Sequence, residues 1–224
     1  MIYNNLKVFS QNVWKNLLIV NTIPETQLHF DIIFIQELPW SVICTILSTF
    51  NCEGKVLVGT THHLNWLSFA RAPSNQFDSP RVLVYVNIHI SSSLWIDIIK
   101  HRDILLISFF NNYICSFIMN IYSDSSHSAL KYLKDTKVNI NNLLIMTGDF
   151  NIRDSLWDLF FPYHSSISDD LIIIADLFNL DLLIPANSIS TRYSNTERKA
   201  NLVINLMFLC SRSNKLNNHL IYPK

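Results

Sequence analysis

Apolar residues in this chain come in short runs of strand length, cut apart by polar turns. LKVFSQN, DIIFIQE, KVLVGT, RVLVYVNIHI, DILLISFF, YICSFIMNIY and NLLIMTGD are rich in β-branched and aromatic residues, which suit a pleated surface, so each predicts a strand. RVLVYVNIHI alternates well enough to predict a half-buried strand with one face in water. The longest apolar stretch, LLISFFNNYICSFIMNIY, is split into two strands by Asn111 and Asn112. NLVINLMFL adds a late strand. Helical spacing is rarer and predicts helices over LPWSVICTILSTF, HSALKYLKD and SDDLIIIADLFNL. In the last of these, Ser168 is the expected N-cap, with Asp169 and Asp170 in a first turn whose dipole favours negative charge. Many strands and few helices predict an α/β fold with two packed sheets and helices outside.

Composition narrows the picture. No repeat or linker interrupts the 224 residues, so 1–224 reads as a single domain. Hydrophobic residues make up 49%, enough for a sizeable core, and charged residues only 15%, below the usual share of about a quarter. Seventeen basic residues balance seventeen acidic ones, so no overall positive field draws the protein to nucleic acid, although a local patch remains open. Cys44, Cys52, Cys115 and Cys210 are scattered without a CxxC pair, which predicts reduced thiols in an intracellular setting. The N-terminus lacks the basic start and apolar core of a signal peptide, and no run reaches the roughly 18 apolar residues that cross a bilayer. A soluble protein with no membrane partner is expected.

Candidate chemistry gathers where strands end. Gln11-Asn12 closes the first strand, Gln36-Glu37 the second, and Asn120 and Tyr122 lie at the end of NIY. Gly148-Asp149-Phe150-Asn151 follows NLLIMT, and Asn217-Asn218-His219 comes near the C-terminus. Rigid strands opening into loops fix side-chain geometry, so catalytic groups often sit there. Singly, each has an ordinary explanation as turn chemistry or a solvated strand end. The order of the set is more specific. It resembles the endonuclease/exonuclease/phosphatase superfamily over nearly the whole chain. FSQNVWKN, IIFIQELPW, PRVLVYVN, FIMNIYSD, TGDFNIRDSLWD and DLFNLDLLIPANSISTR are similar to the endonuclease domains of non-LTR retrotransposons, especially fungal ones.

That resemblance implies a four-layer α/β sandwich like pancreatic DNase, with two packed mixed β-sheets flanked by helices. It implies hydrolysis of a DNA phosphodiester, as a nick, with Mg²⁺ (or Mn²⁺). Glu37 matches the metal-binding glutamate, with Asn12 beside it. Asp149 matches the aspartate that orients or deprotonates the attacking water. Asn151, two residues on in an extended segment, would donate its amide to a phosphate oxygen. Tyr122 matches a phosphate-contacting tyrosine, and His219 the histidine that faces the scissile phosphate. Thr191 and Arg192 fall at a substrate-contacting Thr-Arg pair. The implied partners are DNA and, in a longer ancestral protein, a downstream reverse transcriptase; the implied place of work is the nucleus.

Two positions depart from the pattern. An aspartate that would hold the histidine is replaced by Asn205, and one that would contribute to the metal site by Asn218. Asparagine keeps the shape but lacks the charge. By analogy with serine-protease triads, such a change behind a histidine costs on the order of 10⁴ in kcat. Impaired activity is therefore expected. An inactive remnant or DNA-binding pseudoenzyme of the same fold stays open as an alternative, as does a phosphatase acting on a small phosphoester. Three glycines against 24 asparagines, with abundant isoleucine, fit AT-rich coding and G-to-A drift in a mobile-element copy. Arg71, Arg81, Arg153, Arg192 and Arg198 are candidate phosphate contacts or solvated surface charges.

Overall fold

A computed structural model describes residues 6–43, 46–50, 56–59, 63–71, 73, 75, 77–90, 94–97, 101–111, 114–136, 140–158, 161–183 and 205–210. In chain order the elements are β1 (Val8–Asn12), α1 (Leu17–Thr26), β2 (Ile32–Gln36), β3 (Ile46–Phe50), β4 (Val56–Gly59), β5 (Trp66–Arg71), β6 (Val82–Asn87) and β7 (Leu94–Asp97). They continue with β8 (Ile104–Asn111), β9 (Ile114–Tyr122), α2 (Ser128–Thr136), β10 (Leu143–Asp149), α3 (Ser166–Leu177), β11 (Leu180–Leu182) and β12 (Asn205–Cys210).

The strands form two six-stranded sheets, ordered β1-β2-β6-β5-β4-β3 and β11-β12-β10-β9-β8-β7. Each holds one parallel pair, β1 with β2 and β9 with β10, and the remaining pairs are antiparallel. Parallel neighbours need a crossover, and α1 and α2 supply it. Period-two alternation then divides each central strand between two cores. Ile32 and Phe34 of β2 meet Ile107, Ile118 and Ile145 between the sheets. Ile33 and Ile35 of the same strand face outward, against Val20 and Ile23 of α1. On the far side, Leu130, Leu133, Leu171 and Ile174 of α2 and α3 cover Met119, Ile121 and Met146. Helix, sheet, sheet, helix: the predicted four-layer α/β sandwich is present.

Several expectations are corrected. β6 is buried along all six residues, because one face packs on the second sheet and the other lies under the α1 side, and Ile88–Ile90 turns away from it. Apolar strands buried on both faces read as continuous runs, not alternating ones. The predicted helix over 38–50 is a 3₁₀ turn, Trp40–Val42, then β3. Its Ile46–Phe50 stretch finds a strand partner in β4, which overrides the helical spacing. The α3 helix begins three residues earlier than expected: Ser165 is the cap, and Ser168 is buried inside the first turn. Helix α1 escaped notice because Ile19, Val20, Thr22, Ile23 and Pro24 are poor helix formers, yet Asn16 caps it by accepting from the Leu18 and Ile19 backbone N–H groups. Among the described residues no helix is long and apolar enough to cross a membrane.

Candidate active site

The two parallel pairs point their C-terminal ends at one region, and their last residues meet there. In the first sheet Asn12 stands in register with Gln36, and in the second Tyr122 stands in register with Asp149. The Asn12 amide Nδ2 donates across the gap to Asp149 Oδ2, while Asn12 Oδ1 accepts the Trp14 backbone N–H at 2.7 Å. Both Asn12 and Asp149 are buried. A second strut lies behind them. Asn120 Nδ2 donates to the Ile35 and Leu83 carbonyls at 3.1 and 3.2 Å, and its Oδ1 accepts from Gln36 Nε2 at 2.6 Å. These bonds fix the distance between the sheets where the site is built. Gln36 Oε1 is buried there with no hydrogen-bond partner among the described residues.

Gly148 does not break the strand before Asp149. It lies inside β10, paired with Ile121 on one side and Leu206 on the other. A Cβ added at Gly148 would sit 1.8 Å from the Ile121 carbonyl oxygen. Glycine is required because two strand backbones close on each other here, and that closeness sets Asp149 beside Tyr122. The segment after Asp149 is not extended. Asn151 has φ of 49°, its backbone N–H donates to Asp149 Oδ1 at 3.0 Å, and its Nδ2 donates to the Ser123 carbonyl at 2.8 Å. One amide hydrogen of Asn151 is thus used to clamp the β9 exit to the β10 exit. Ser123 completes the clamp by donating its backbone N–H to the Asp149 carbonyl at 2.8 Å.

Tyr122 is the electrostatic centre of this region. Burial, with the charges of Glu37, Asp149 and Asp124, pushes its phenol up to about 12 against the opposing charge of Arg81. It therefore stays protonated across the physiological range and can donate a hydrogen bond to an anionic oxygen. Arg81 lies over the Tyr122 ring at 4.7 Å. Its fork binds both oxygens of the fully buried Asp103, and Nη2 also reaches Asp124 at 2.9 Å. Burial alone would lower the guanidinium, but hydrogen bonds and charge from Asp103 and Asp124 outweigh it and hold it above the ordinary arginine value. Burial by itself would raise Asp124, yet bonds from Ser126 and Arg81 bring it to about 2.

The arginines that sequence reading offered as phosphate contacts are thus structural where they can be seen. Arg81 is committed to Asp103 and Asp124, Arg71 to Asp78 at 2.6 Å, and Arg153 to Asp158 at 3.3 Å with its guanidinium over Phe161. Sequence reading missed the roles of Asp103, Asp124 and Ser123. Their signal was weak: an acidic residue just before one strand and a polar pair just after another, joined only by the fold.

Of the predicted residues, the structure brings together Asn12, Asp149, Asn151 and Tyr122, with Glu37 close enough to raise the phenol. Glu37 is half-buried with φ of 58°, and its carbonyl accepts the Lys15 N–H at 2.8 Å. Asn205 begins β12 directly opposite Asp149 in the strand register. Its side chain, and Thr191, Arg192, Asn218, His219 and Arg198 altogether, lie outside the described residues. Among the described residues no three His, Cys, Asp or Glu side chains form a metal cage. The donors that are present nevertheless suit a small hard cation. Glu37 and Asp149 both act on Tyr122 through their charge and carry carboxylate oxygen, while Asp124 is engaged by Arg81 and Ser126, and Mg²⁺ takes one or two carboxylates while keeping water and phosphate.

Two stacked mixed sheets with outer helices, meeting at the ends of their parallel strands, are the pancreatic-DNase-like four-layer fold that the sequence predicts, and this chain has it. Among solved structures it is similar to the endonuclease domain of TRAS1, a telomere-specific non-LTR retrotransposon, at 15% identity and a TM-score of 0.56, covering 92% of this chain and 85% of that one. An endonuclease/exonuclease/phosphatase family protein from Leptotrichia buccalis is more distant, at 14% identity and a TM-score of 0.48, covering 91% and 87% of the two chains. D. rerio TDP2 complexed with a single-strand DNA product gives 11% identity and a TM-score of 0.46, covering 92% and 83%. No family model and no curated protein matches the sequence.

Proposed function

We propose that this chain is a DNA phosphodiester hydrolase of the retrotransposon type, nicking one strand with a divalent cation, with turnover strongly reduced by Asn205 and Asn218. The observation that carries the reading is the Asp149 carboxylate, buried at a strand end and held from both sides by the Asn12 amide and the Asn151 N–H. A carboxylate held in this way is pre-oriented to accept a proton from an attacking water. Tyr122, kept neutral by burial and by the charges of nearby carboxylates, donates to a phosphate oxygen. Glu37 and the Asn12 carbonyl would hold Mg²⁺ (or Mn²⁺), which when bound stabilises the charge developing on the phosphate. His219 would face the leaving group as the proton carrier, Asn218 would stand at the edge of the metal site, and Thr191 and Arg192 would contact the substrate strand. Asn151 keeps one amide hydrogen for the substrate beyond the one given to Ser123. The TRAS1 likeness supports the retrotransposon branch through the fold.

Asn205 favours a second reading, a non-catalytic DNA-binding remnant. It occupies the strand position opposite Asp149, where the family pattern has a carboxylate. Supercoiled plasmid incubated with the purified protein and Mg²⁺ separates the two. Slow nicking is expected, lost in Asp149→Ala and raised by orders of magnitude in the double variant Asn205→Asp, Asn218→Asp. Nicking by the native chain as fast as the double variant would remove the impairment claim. An inert double variant would leave the binding remnant as the better reading.

A further inference from the structure

The loop between β1 and α1 carries a residue that neither backbone nor core accounts for. Trp14 and Lys15 are consecutive and both left-handed, with φ of 48° and 56°. That conformation suits glycine or asparagine and is a true outlier for a bulky side chain. Trp14 is also 48% exposed, and it joins none of the three apolar clusters of the described residues. A tryptophan here is costly to the backbone, and about half of its surface stays in water. The loop is nonetheless tightly fastened, and to the site itself. The Trp14 N–H donates to Asn12 Oδ1 at 2.7 Å, the Lys15 N–H to the Glu37 carbonyl at 2.8 Å, and the Val13 N–H to the Gln36 carbonyl at 3.0 Å. An exposed aromatic face and an exposed ammonium are thereby held in fixed register with Asn12 and Glu37.

Strained backbone that the surroundings hold in place points to a working role. A flat, half-exposed indole beside a cation is the combination that grips a single nucleic-acid strand, the ring stacking on a base and the ammonium neutralising a phosphate. We propose that Trp14 stacks on a nucleobase of the bound DNA strand next to the cleavage site, with Lys15 on the adjoining phosphate; this rests on the DNA-hydrolase reading above. The neutral overall charge makes such a contact more important. Arg71, Arg81 and Arg153 are all tied to aspartates, so stacking takes a larger share of strand binding.

Binding of the full-length protein to labelled oligodeoxythymidine, and to an equally long abasic strand, tests this without requiring turnover. Trp14→Ala should weaken oligodeoxythymidine binding by about 5- to 100-fold, with Trp14→Phe retaining most of the affinity. The abasic strand, which has phosphates but no bases, should bind both variants like the native protein. Lys15→Ala should weaken both strands and lower the slope of log affinity against log salt by about one. Trp14→Asn, which relieves the left-handed strain, should lose the same affinity while holding or raising the melting temperature. Equal native and Trp14→Ala affinity for oligodeoxythymidine, an equal loss on the abasic strand, absence of native binding, or a fall in melting temperature with Trp14→Asn would each overturn the proposal. Plasmid nicking measured in parallel keeps the two claims apart. A nicking enzyme whose strand binding ignores Trp14 retains its function and loses this contact. A non-nicking protein whose binding depends on Trp14 does the reverse.

Discussion

Asp149 and Asp154 lie five residues apart in one loop-bearing stretch, and both are fully buried, yet their surroundings differ. Asp154 is wrapped by donors from its own neighbourhood: the Leu156 N–H at 2.9 Å, the Ser165 N–H at 2.8 Å, and His164 Nδ1 at 2.9 Å. Burial alone would raise its carboxyl, but these bonds outweigh it and bring it to about 2. It staples the loop to the start of α3. Asp149 instead takes an amide from the opposite sheet and an N–H from two residues on, and it stands in register with Tyr122, whose phenol Glu37 also acts on. A carboxylate satisfied locally holds structure. One held at a joint between distant elements is the one to which the proposed function assigns chemistry. Burial alone does not separate the two; the origin of the donors does.

The contrast can be broken at three places. The largest effect is expected at Gly148→Ala, where the added Cβ would meet the Ile121 carbonyl at 1.8 Å and must force β9 and β10 apart. A loss of about 3 kcal/mol in urea unfolding is expected, since backbone cannot move aside as a flexible side chain can. A loss below about 0.5 kcal/mol would mean that the two strands do not approach as described. Asp154→Asn comes next, at about 2 kcal/mol near neutral pH. Its sign in pH is fixed by the depressed carboxyl. The stabilisation is present above the ordinary value of 3.8 and is lost as pH falls through about 2, so native and variant stabilities should converge on acidification. A constant gap from neutral to pH about 2 would assign the loss to shape and not to charge. His164→Gln should have the smallest effect. The hydrogen bonds that His164 donates to Asp154 and Asp169 raise this exposed imidazole, so its contribution is present below 6.5 and lost as pH rises through the raised value. Melting curves should show a small deficit in weak acid that vanishes in weak base.

Much of this was legible in the sequence, for physical reasons. Strands β1, β2, β8, β9 and β10 are apolar runs closed by polar residues, and burial on both faces makes such runs conspicuous. The gathering of Asn12, Tyr122 and Asp149 was readable from motif order. What failed was whatever depended on a partner far away in the chain. The 38–50 segment was read as a helix because only β4 could show it to be a strand. The need for glycine at 148 stayed hidden because its close neighbour Ile121 is not its neighbour in sequence. Arg81 was read as a surface charge or a phosphate ligand because Asp103 and Asp124 reach it only after two sheets are built. Local chemistry also misled once: Ser168 and Ser165 are both plausible caps, and the backbone, not the residue type, chose Ser165.

The Asn12–Asp149 bond joins residues separated by 137 positions, and the Gln36–Asn120 bond spans 84. Contacts of such long range close large loops and cannot reward the chain until both sheets exist. The candidate site should therefore be among the last parts of the molecule to acquire its geometry during folding. Neither half carries it alone: the first contributes Asn12, Gln36 and Glu37, the second Asn120, Tyr122 and Asp149. A ribosome must have released all of β10 before the Asn12–Asp149 bond can close, and a chain truncated before residue 143 would keep the Gln36–Asn120 strut while leaving the Asn12 amide without its carboxylate.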